Sequence, residues 1–435
     1  AEKVGQMTQI DHRFLDDHTD IKDYAIGSLL SGGGSHPEEN THKAWVDLYN
    51  GYQEKALASR LGIPLIYGID AVHGHNNVKG ATIFPHNIGL GATGNPEIVR
   101  SVSEATASEV AATGINWTFA PCIATPQDYR WGRTYEGFSS DPKLVLELGV
   151  AAVEGYQSSI KKNPRKVIAC AKHFIGDGNT TFGTGLNNLV DRGNTKLTKE
   201  TLKETLIPAY QAAVDAGVET VMASYNSWNG VKCHGSKELL TDILKDEMGF
   251  EGFVISDWAG IDEIPGDYKS DIVTSVNAGM DMVMVSGEAE PYKKFMALLT
   301  EAIEEELIPM SRIDDAVSRI LKVKFRAGLF ENPLMDYDYL TEIGSDENRE
   351  IGRDAVRQSV VLLKNESALP ISKAARVIVA GRGADNLGMQ CGGWTIEWQG
   401  GQGDITEGTT LLEGLIENAP EGIEVVSDPL ANSVK

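Results

Sequence analysis

Short apolar runs alternate with amphipathic stretches from the first residues to about position 330. The runs predict strands near 26–30, 65–69, 116–120, 166–171, 219–224, 252–256 and 281–285, each a few residues long and rich in Ile, Val, Leu, Met or aromatics. Between them, apolar positions recur at helical spacing near 41–59, 95–112, 141–159, 198–216, 236–248, 268–278 and 289–306. Asn95-Pro96 and Asp141-Pro142 place a capping side chain ahead of a proline at the first helical position, and Thr198-Lys199-Glu200-Thr201 opens another helix. Repeated strand–helix units with short connections mean an α/β fold with a parallel sheet, either a closed (β/α)8-type TIM barrel, possibly irregular, or an open doubly wound sheet.

The residues after the strands favour the barrel. Asp70, then Arg130 and Arg133, Lys172-His173, Tyr225-Asn226 and Asp257-Trp258 follow successive strands. An open sheet gathers ligand groups at one switch point, whereas a barrel brings every strand's C-terminal loop to one face. A helix over 312–326 closes this unit, so the barrel is placed at 1–327. A polar segment with Asn332-Pro333 and Asp336-Tyr337-Asp338 reads as a linker, 328–345. A second αβ pattern fills 346–435: helix 346–358, strands Val360–Leu363 and Val377–Ala380, helix 410–418 and a strand from Ile423 to Val426. It reads as the N-terminal part of an α/β sandwich, expected to be truncated because no finishing element precedes Lys435.

The totals narrow the chemistry. With 39 basic against 62 acidic residues, the net charge of −23 argues against nucleic acid or an anionic membrane as partner. No apolar run reaches 18 residues, so no transmembrane helix is predicted. Ala1-Glu2-Lys3-Val4 does not resemble a signal peptide; one was either removed or never present. Cys122, Cys170, Cys233 and Cys391 are scattered and without a CxxC pair, which specifies neither a zinc site nor a disulfide framework. His73 and His75 stand in a loop at spacing i, i+2, an arrangement that more often makes hydrogen bonds than holds a metal. Val379–Asp385 has two glycines of a dinucleotide fingerprint without the third, and is read as a strand-to-loop turn. No metal and no cofactor are expected.

Gly252-Phe253-Val254-Ile255-Ser256-Asp257-Trp258 carries the most specific signal. A buried strand ends abruptly in a carboxylate and an indole, as at the open end of a barrel, although an aspartate there also suits a cap of the next helix. Trp394 and Trp398, flanked by Gly392-Gly393 and Gly400-Gly401, sit in a glycine-rich loop where core packing is the less natural reading.

Tyr67-Gly68-Ile69-Asp70-Ala71-Val72-His73-Gly74, Trp131-Gly132-Arg133, Ala171-Lys172-His173-Phe174, Ser224-Tyr225-Asn226 and Val254-Ile255-Ser256-Asp257-Trp258 occur in that order at strand ends. Together they resemble glycoside hydrolase family 3, nearest its two-domain β-D-glucan exohydrolases and β-glucosidases, as does Gly392–Gly400. The resemblance covers essentially the whole chain. It implies that Asp257 is the catalytic nucleophile of an exo-acting retaining enzyme that releases glucose from β-glucan oligosaccharides through a glycosyl-aspartate. It further implies that Asp70, Arg133, Lys172 and His173 hold the hydroxyls of the reacting sugar, that Tyr225 lies beside the nucleophile, and that Trp258 and Trp398 clamp the next sugar with Trp394 as a second wall. Arg130 reads as structural or supporting. Nearby Arg133 and Lys172 are expected to hold the pKa of Asp257 down.

Two departures bear on this reading. A retaining enzyme needs a second carboxyl about 5–5.5 Å from the first, and the family takes it from a later part of the second domain than any motif found here. Glu397 is the one tempting carboxylate, and the motif puts it in the clamp loop. Either the chain continues past Lys435 in nature, or the site lacks its acid. After Gly178 the sequence runs Asn179-Thr180-Thr181-Phe182-Gly183-Thr184-Gly185, without the Asp-x-His loop of the family's single-domain N-acetylglucosaminidases. A sugar-binding protein without turnover, or an N-acetyl-β-glucosaminidase, are the alternatives. A periplasmic or extracellular location is expected, since glucan oligomers are met outside the cytoplasm.

Overall fold

One strand more than the sequence predicts completes the sheet. In the computed structural model, which describes residues 1–158, 165–287, 291–371 and 375–430, eight parallel strands follow one another: β1 (Thr8–Asp11), β2 (Ser28–Ser31), β3 (Ile66–Ile69), β4 (Trp117–Thr118), β5 (Cys170–Phe174), β6 (Thr220–Ala223), β7 (Phe253–Ile255) and β8 (Val283–Val285). β1 pairs on one side with β8, Thr8 opposite Val283, and on the other with β2, Gln9 opposite Ser28. Full ladders join β2 to β3 to β4, and β5 to β6 to β7. Isolated parallel bridges close the two seams, Trp117 to Ile168 and Cys122 to Lys172 on one and Ile255 to Met282 on the other. The result is a (β/α)8 barrel of TIM type in sequential strand order. Asp257 follows the seventh strand.

β1 escapes a search for apolar runs because three of its four residues are polar. Side-chain bonds offset the burial of those residues: the Thr8 hydroxyl donates to the Val4 carbonyl at 2.9 Å and the Gln9 amide N–H to the Ser28 hydroxyl at 2.8 Å, while Gln9 Oε1 finds no partner among the described residues. Inside the barrel the ring of Trp117 meets Phe119 and Phe253 edge to face, at 5.0 and 5.2 Å, and its indole N–H donates to the Thr220 hydroxyl at 2.9 Å. Gly68 is small for a reason, since a Cβ there would come within 2.3 Å of the Phe119 ring.

The helices start where their caps predict. Asn95 accepts from the Glu97 amide ahead of Pro96–Ala112, Asp141 from Lys143 ahead of Pro142–Tyr156, and Thr198 from Thr201 ahead of Lys199–Thr205. The element predicted over 236–248 is present as a π-helix, Glu238–Glu247. Residue 159 of one predicted helix and 289–290 of another lie outside the described residues. Helix α1 (Met310–Arg326) closes the barrel from below. Its buried Lys324 donates to the Gln6 side chain at 2.7 Å and to the carbonyls of Gly27 and Pro64 at 2.8 and 2.9 Å. Those acceptors precede β1, β2 and β3, so one ammonium ties α1 to three strand entrances.

Residues after 328 return along the barrel. The Tyr49 hydroxyl donates to the Pro333 carbonyl at 3.0 Å and Asn50 to Met335 at 2.9 Å. Buried Glu109 accepts from the Thr82 amide and hydroxyl, the Gly344 amide and the Asn348 side chain. Helix α2 (Asp346–Ser359) then leads to Val360–Leu363, where the predicted strand is not formed. That run is exposed, Leu363 to 92 %, because no described strand offers it a ladder. β9 (Arg376–Ala380) and β10 (Glu424–Asp428) do form, as a parallel pair, and the helix predicted at 410–418 is Leu411–Asn418, opened by a capping box between Thr410 and Glu413. The glycine-rich turn after β9 runs into a short 3-10 turn, Arg382–Asp385.

Candidate active site

β7 delivers Asp257 to the C-terminal mouth of the barrel. The Met284 amide donates to the Ser256 hydroxyl at 2.8 Å, fixing the end of the strand against β8. The Asp257 amide donates to His234 Nε2 at 3.0 Å, and carboxylate Oδ1 accepts from the Trp258 amide at 2.7 Å. The other oxygen, Oδ2, makes no hydrogen bond among the described residues and stands 3.5 Å from His173 Nε2. The helix-cap reading does not describe this geometry: the next α-helix, Tyr268–Ala278, is capped by Asp267.

Around that oxygen four strand ends bring together the groups the sequence singled out. Asp70 follows β3, and its Oδ1 is 3.3 Å from the Lys172 ammonium, which is itself buried on β5 and 5.4 Å from the centre of the Trp394 ring. His173, next on β5, places Nδ1 2.7 Å from Asp177 Oδ2. Arg133, from the loop after β4, is held by Glu136 through two parallel bonds, Nε to Oε1 at 2.7 Å and Nη2 to Oε2 at 2.8 Å. Burial alone would raise Glu136, but the Arg133 guanidinium wins and brings its pKa down to about 2. Burial raises Asp70 to about 6 against the pull of Lys172, with the nearby Asp257 adding to the rise.

For Asp257 the expected direction is corrected. Burial pushes its pKa above the ordinary aspartate value, and the opposing charges of Arg133, Lys172 and Arg192, with the Trp258 N–H, only limit the rise. Tyr225 and Arg130 are both engaged by neighbouring protein groups. The Tyr225 hydroxyl donates to the Trp258 carbonyl and the Arg192 guanidinium stacks 4.0 Å over its ring, so the phenol is occupied by the protein. Arg130 lies outside the site, paired with Asp128 and stacked 3.9 Å over Phe182.

The tryptophan loop is seated on the barrel mouth by residues more than 300 positions earlier. The Asn76 side chain donates to the Trp394 carbonyl at 2.7 Å, and the Ile396 amide donates to the Asn76 carbonyl at 2.8 Å. The Gly34 amide donates to the Ile396 carbonyl at 2.8 Å. His73 helps to seat the loop, with Nε2 3.1 Å from the Thr395 hydroxyl and Nδ1 3.0 Å from the Phe84 carbonyl, while His75 Nε2 meets the Thr113 hydroxyl at 2.9 Å. Gly34 has φ +84°, and a Cβ there would lie 2.2 Å from the Glu397 carboxylate, which is otherwise exposed. Trp394 is buried to 8 % exposure and Trp398 is 53 % exposed, their rings 6.4 Å apart and tilted by 57°. Trp258 is half-buried, its ring 5.9 Å from Phe14.

Four residues of this cluster are missing from the sequence reading. Glu136 had a signal, an acidic residue three after Arg133. Asp177 was visible in the stretch after Lys172-His173 but had no assigned partner. Arg192 sits in a turn and His234 in a 3-10 turn after the short strand Val231–Lys232, outside the predicted strands, and only the folded chain brings them to Asp257.

Residues 1–323 match the sequence model described as "Glycosyl hydrolase family 3 N terminal domain". The "Lysosomal beta glucosidase" of Dictyostelium discoideum is 33 % identical over 96 % of this chain and 54 % of its own length. The "Periplasmic beta-glucosidase" of Salmonella typhimurium is 31 % identical over 99 % of the chain and 54 % of its own. Among solved structures, the exo-1,3/1,4-beta-glucanase from a Pseudoalteromonas species superposes with a TM-score of 0.90 at 39 % identity, covering 98 % of this chain and 55 % of that one. The chain therefore spans about half the length of the curated relatives it matches.

Proposed function

Given that the chain belongs to glycosyl hydrolase family 3, we propose that it works as an exo-acting retaining β-glucosidase or β-D-glucan exohydrolase. The observation that carries this reading is the free carboxylate oxygen of Asp257 at the barrel mouth, ringed by Asp70, Arg133, Lys172 and His173. In the proposed reaction Asp257 Oδ2 attacks the anomeric carbon as the glycosidic C–O bond breaks, giving a glycosyl-aspartate that water then hydrolyses with net retention. Asp70 accepts from sugar hydroxyls, while Lys172, His173 and Arg133 donate, and these contacts tighten as the ring flattens towards an oxocarbenium ion. Trp258 and Trp398 offer flat faces to the next sugar, with Trp394 behind them; Tyr225 contributes its ring.

The proton donor is assigned to a part of the second domain later than the residues described above. The division into a barrel at 1–327, a linker at 328–345 and the start of an α/β sandwich at 346–435 belongs to the same proposal. So do β-glucan oligosaccharides and glucose as its ligands, and a periplasmic or extracellular location, which the periplasmic relative supports. Among the described residues no helix is long and apolar enough to cross a membrane.

The test is Asp257→Ala in the protein as it occurs naturally, assayed on 4-nitrophenyl β-glucoside with the β-xyloside and N-acetyl-β-glucosaminide beside it. Loss of nitrophenol release with the glucoside as the preferred parent substrate supports the proposal. A variant that keeps the parental rate, or a parent that prefers the N-acetylglucosaminide, overturns it.

A further inference from the structure

Asp177 has no part in the reaction just described, yet it completes a chain of three buried side chains. Its Oδ2 lies 2.7 Å from His173 Nδ1, and the opposite ring nitrogen, Nε2, lies 3.5 Å from Asp257 Oδ2. Its other oxygen accepts from the Gly178 amide at 3.1 Å, which fixes the carboxyl in the turn after β5. We propose that Asp177 is a positioning residue that governs the proton on the His173 ring, and so decides whether Nε2 presents a donor or a lone pair to Asp257 and to a bound sugar. This rests on the assignment of Asp257 as nucleophile.

Proton counting makes the argument. The short Asp177–His173 contact needs one proton between Oδ2 and Nδ1, whichever atom carries it. If the pair holds a second proton, that proton is on Nε2. If it holds one alone, Nε2 is bare. A bare nitrogen 3.5 Å from a carboxylate oxygen sets two lone pairs against each other, whereas Nε2–H attracts the same oxygen and supports its ionised form. The doubly protonated pair is thus the state that suits a nucleophilic Asp257, and loss of one proton on the alkaline side removes it.

The surroundings place that proton on the carboxyl. Burial, aided by the facing Arg133, Lys172 and His234, holds the His173 ring well below the ordinary histidine pKa. Asp177 faces Arg133, which favours its ionised form, and Glu136, which opposes it; burial dominates and pushes its pKa up to about 7. The remaining groups that feel Asp177 are the buried Cys122, Tyr210 and Cys233, whose own pKa values burial raises, so they stay neutral. The pair titrates as a unit, and its switch falls near neutral pH.

Ring-nitrogen NMR on protein labelled with 15N-histidine reads the switch directly, with the His173 signals among nine histidines assigned by their loss in His173→Gln. Between about pH 5 and pH 9 the Nε2 signal is expected to pass from the protonated to the unprotonated position while Nδ1 passes the opposite way, the ring exchanging tautomers as the carboxyl gives up its proton, and Asp177→Asn is expected to abolish that passage. In the same variant the side-chain N–H faces Nδ1 and keeps the ring proton on Nε2, so the alkaline limb of kcat/KM on the aryl glucoside is expected to be displaced to higher pH. An Asp257→Asn background separates this inference from the functional proposal: turnover is lost there, while the His173 transition persists at a shifted pH. A His173 ring with one protonation pattern throughout in the parent protein, or a transition that survives in Asp177→Asn, overturns the inference. Should Asp177→Asn fail to fold, the parent titration and Asp177→Glu decide it, the latter expected to keep the transition at a displaced pH.

Discussion

Glu136 grips Arg133 side-on, two bonds of 2.7 and 2.8 Å between planar groups, with the carboxylate buried. One face of the guanidinium fork is thereby fixed, and the remainder is aimed by it. Glu136→Gln keeps the shape but leaves a buried cation without its counter-charge, a loss of about 3–5 kcal/mol when such pairs are broken. The expected result is a lowered Tm together with a fall in kcat/KM of roughly 10–100-fold. Arg133→Lys should do no better, because a point charge cannot make the paired contact. Unchanged kinetics in both variants would remove Arg133 from the site.

Asp70 and Asp177 give stability a slope with pH. Their folded pKa values, about 6 and about 7, exceed the roughly 3.9 of an unfolded aspartate. The native state therefore binds protons more tightly, and the stability this confers is full below about pH 4 and is lost as pH rises through 6 to 7. Asp177→Asn removes one such cost, so its stability relative to the parent should improve between pH 5 and pH 8, by on the order of 2–4 kcal/mol. Glu136, with its pKa depressed to about 2, has the opposite sign and weakens the fold only in strong acid. Urea unfolding of parent and variant at the two pH values checks this; a constant difference would show that Asp177 ionises as in water.

The two tryptophans of the glycine-rich loop should separate cleanly. Trp398 is half exposed, so Trp398→Ala should leave Tm nearly unchanged and raise KM for laminaribiose about 10-fold, the equivalent of about 1.4 kcal/mol of lost stacking. Its effect on an aryl glucoside should be smaller than on the disaccharide. Trp394 is buried beside Lys172, and Trp394→Ala should cost about 3–5 kcal/mol of stability. Equal thermal effects of the two changes would contradict their different burial.

Lys324 lies at the far end of the barrel from the pocket. Lys324→Met would leave the Gly27 and Pro64 carbonyls and the Gln6 side chain without their shared donor, each worth about 1–3 kcal/mol when buried and unpaired. Thermal unfolding should fall by several degrees while kcat per folded molecule holds, since the chemistry sits at the opposite face. A selective loss of kcat would mean that the two faces are coupled.

What the sequence made legible was whatever an apolar run announces. β7 ends in Ser256-Asp257-Trp258, and that abrupt change of character located the central carboxylate without coordinates. β1 stayed hidden because Thr8, Gln9 and Asp11 are buried through hydrogen bonds rather than through apolar surface. Val360–Leu363 misled in the opposite sense: strand-forming residues need a neighbour to pair with, and none of the described strands supplies one. Arg192 and His234 reach Asp257 only through folding, so no spacing along the chain betrays them. The direction of the Asp257 pKa was misjudged for a related reason. Adjacent cations can be read from motifs, but the depth at which a carboxylate is sealed from water cannot.

The pairing of Thr8 with Val283 also sets a timetable for biosynthesis. A nascent chain emerging from the ribosome carries β1 long before its partner on that side exists, and until residue 285 has cleared the exit tunnel one flank of β1 has nothing to bond to. Pairing between such distant positions is slow as well as late. The polar make-up of β1 suits that interval, because an unpaired strand of Thr, Gln, Ile and Asp tempts other chains far less than an apolar one would.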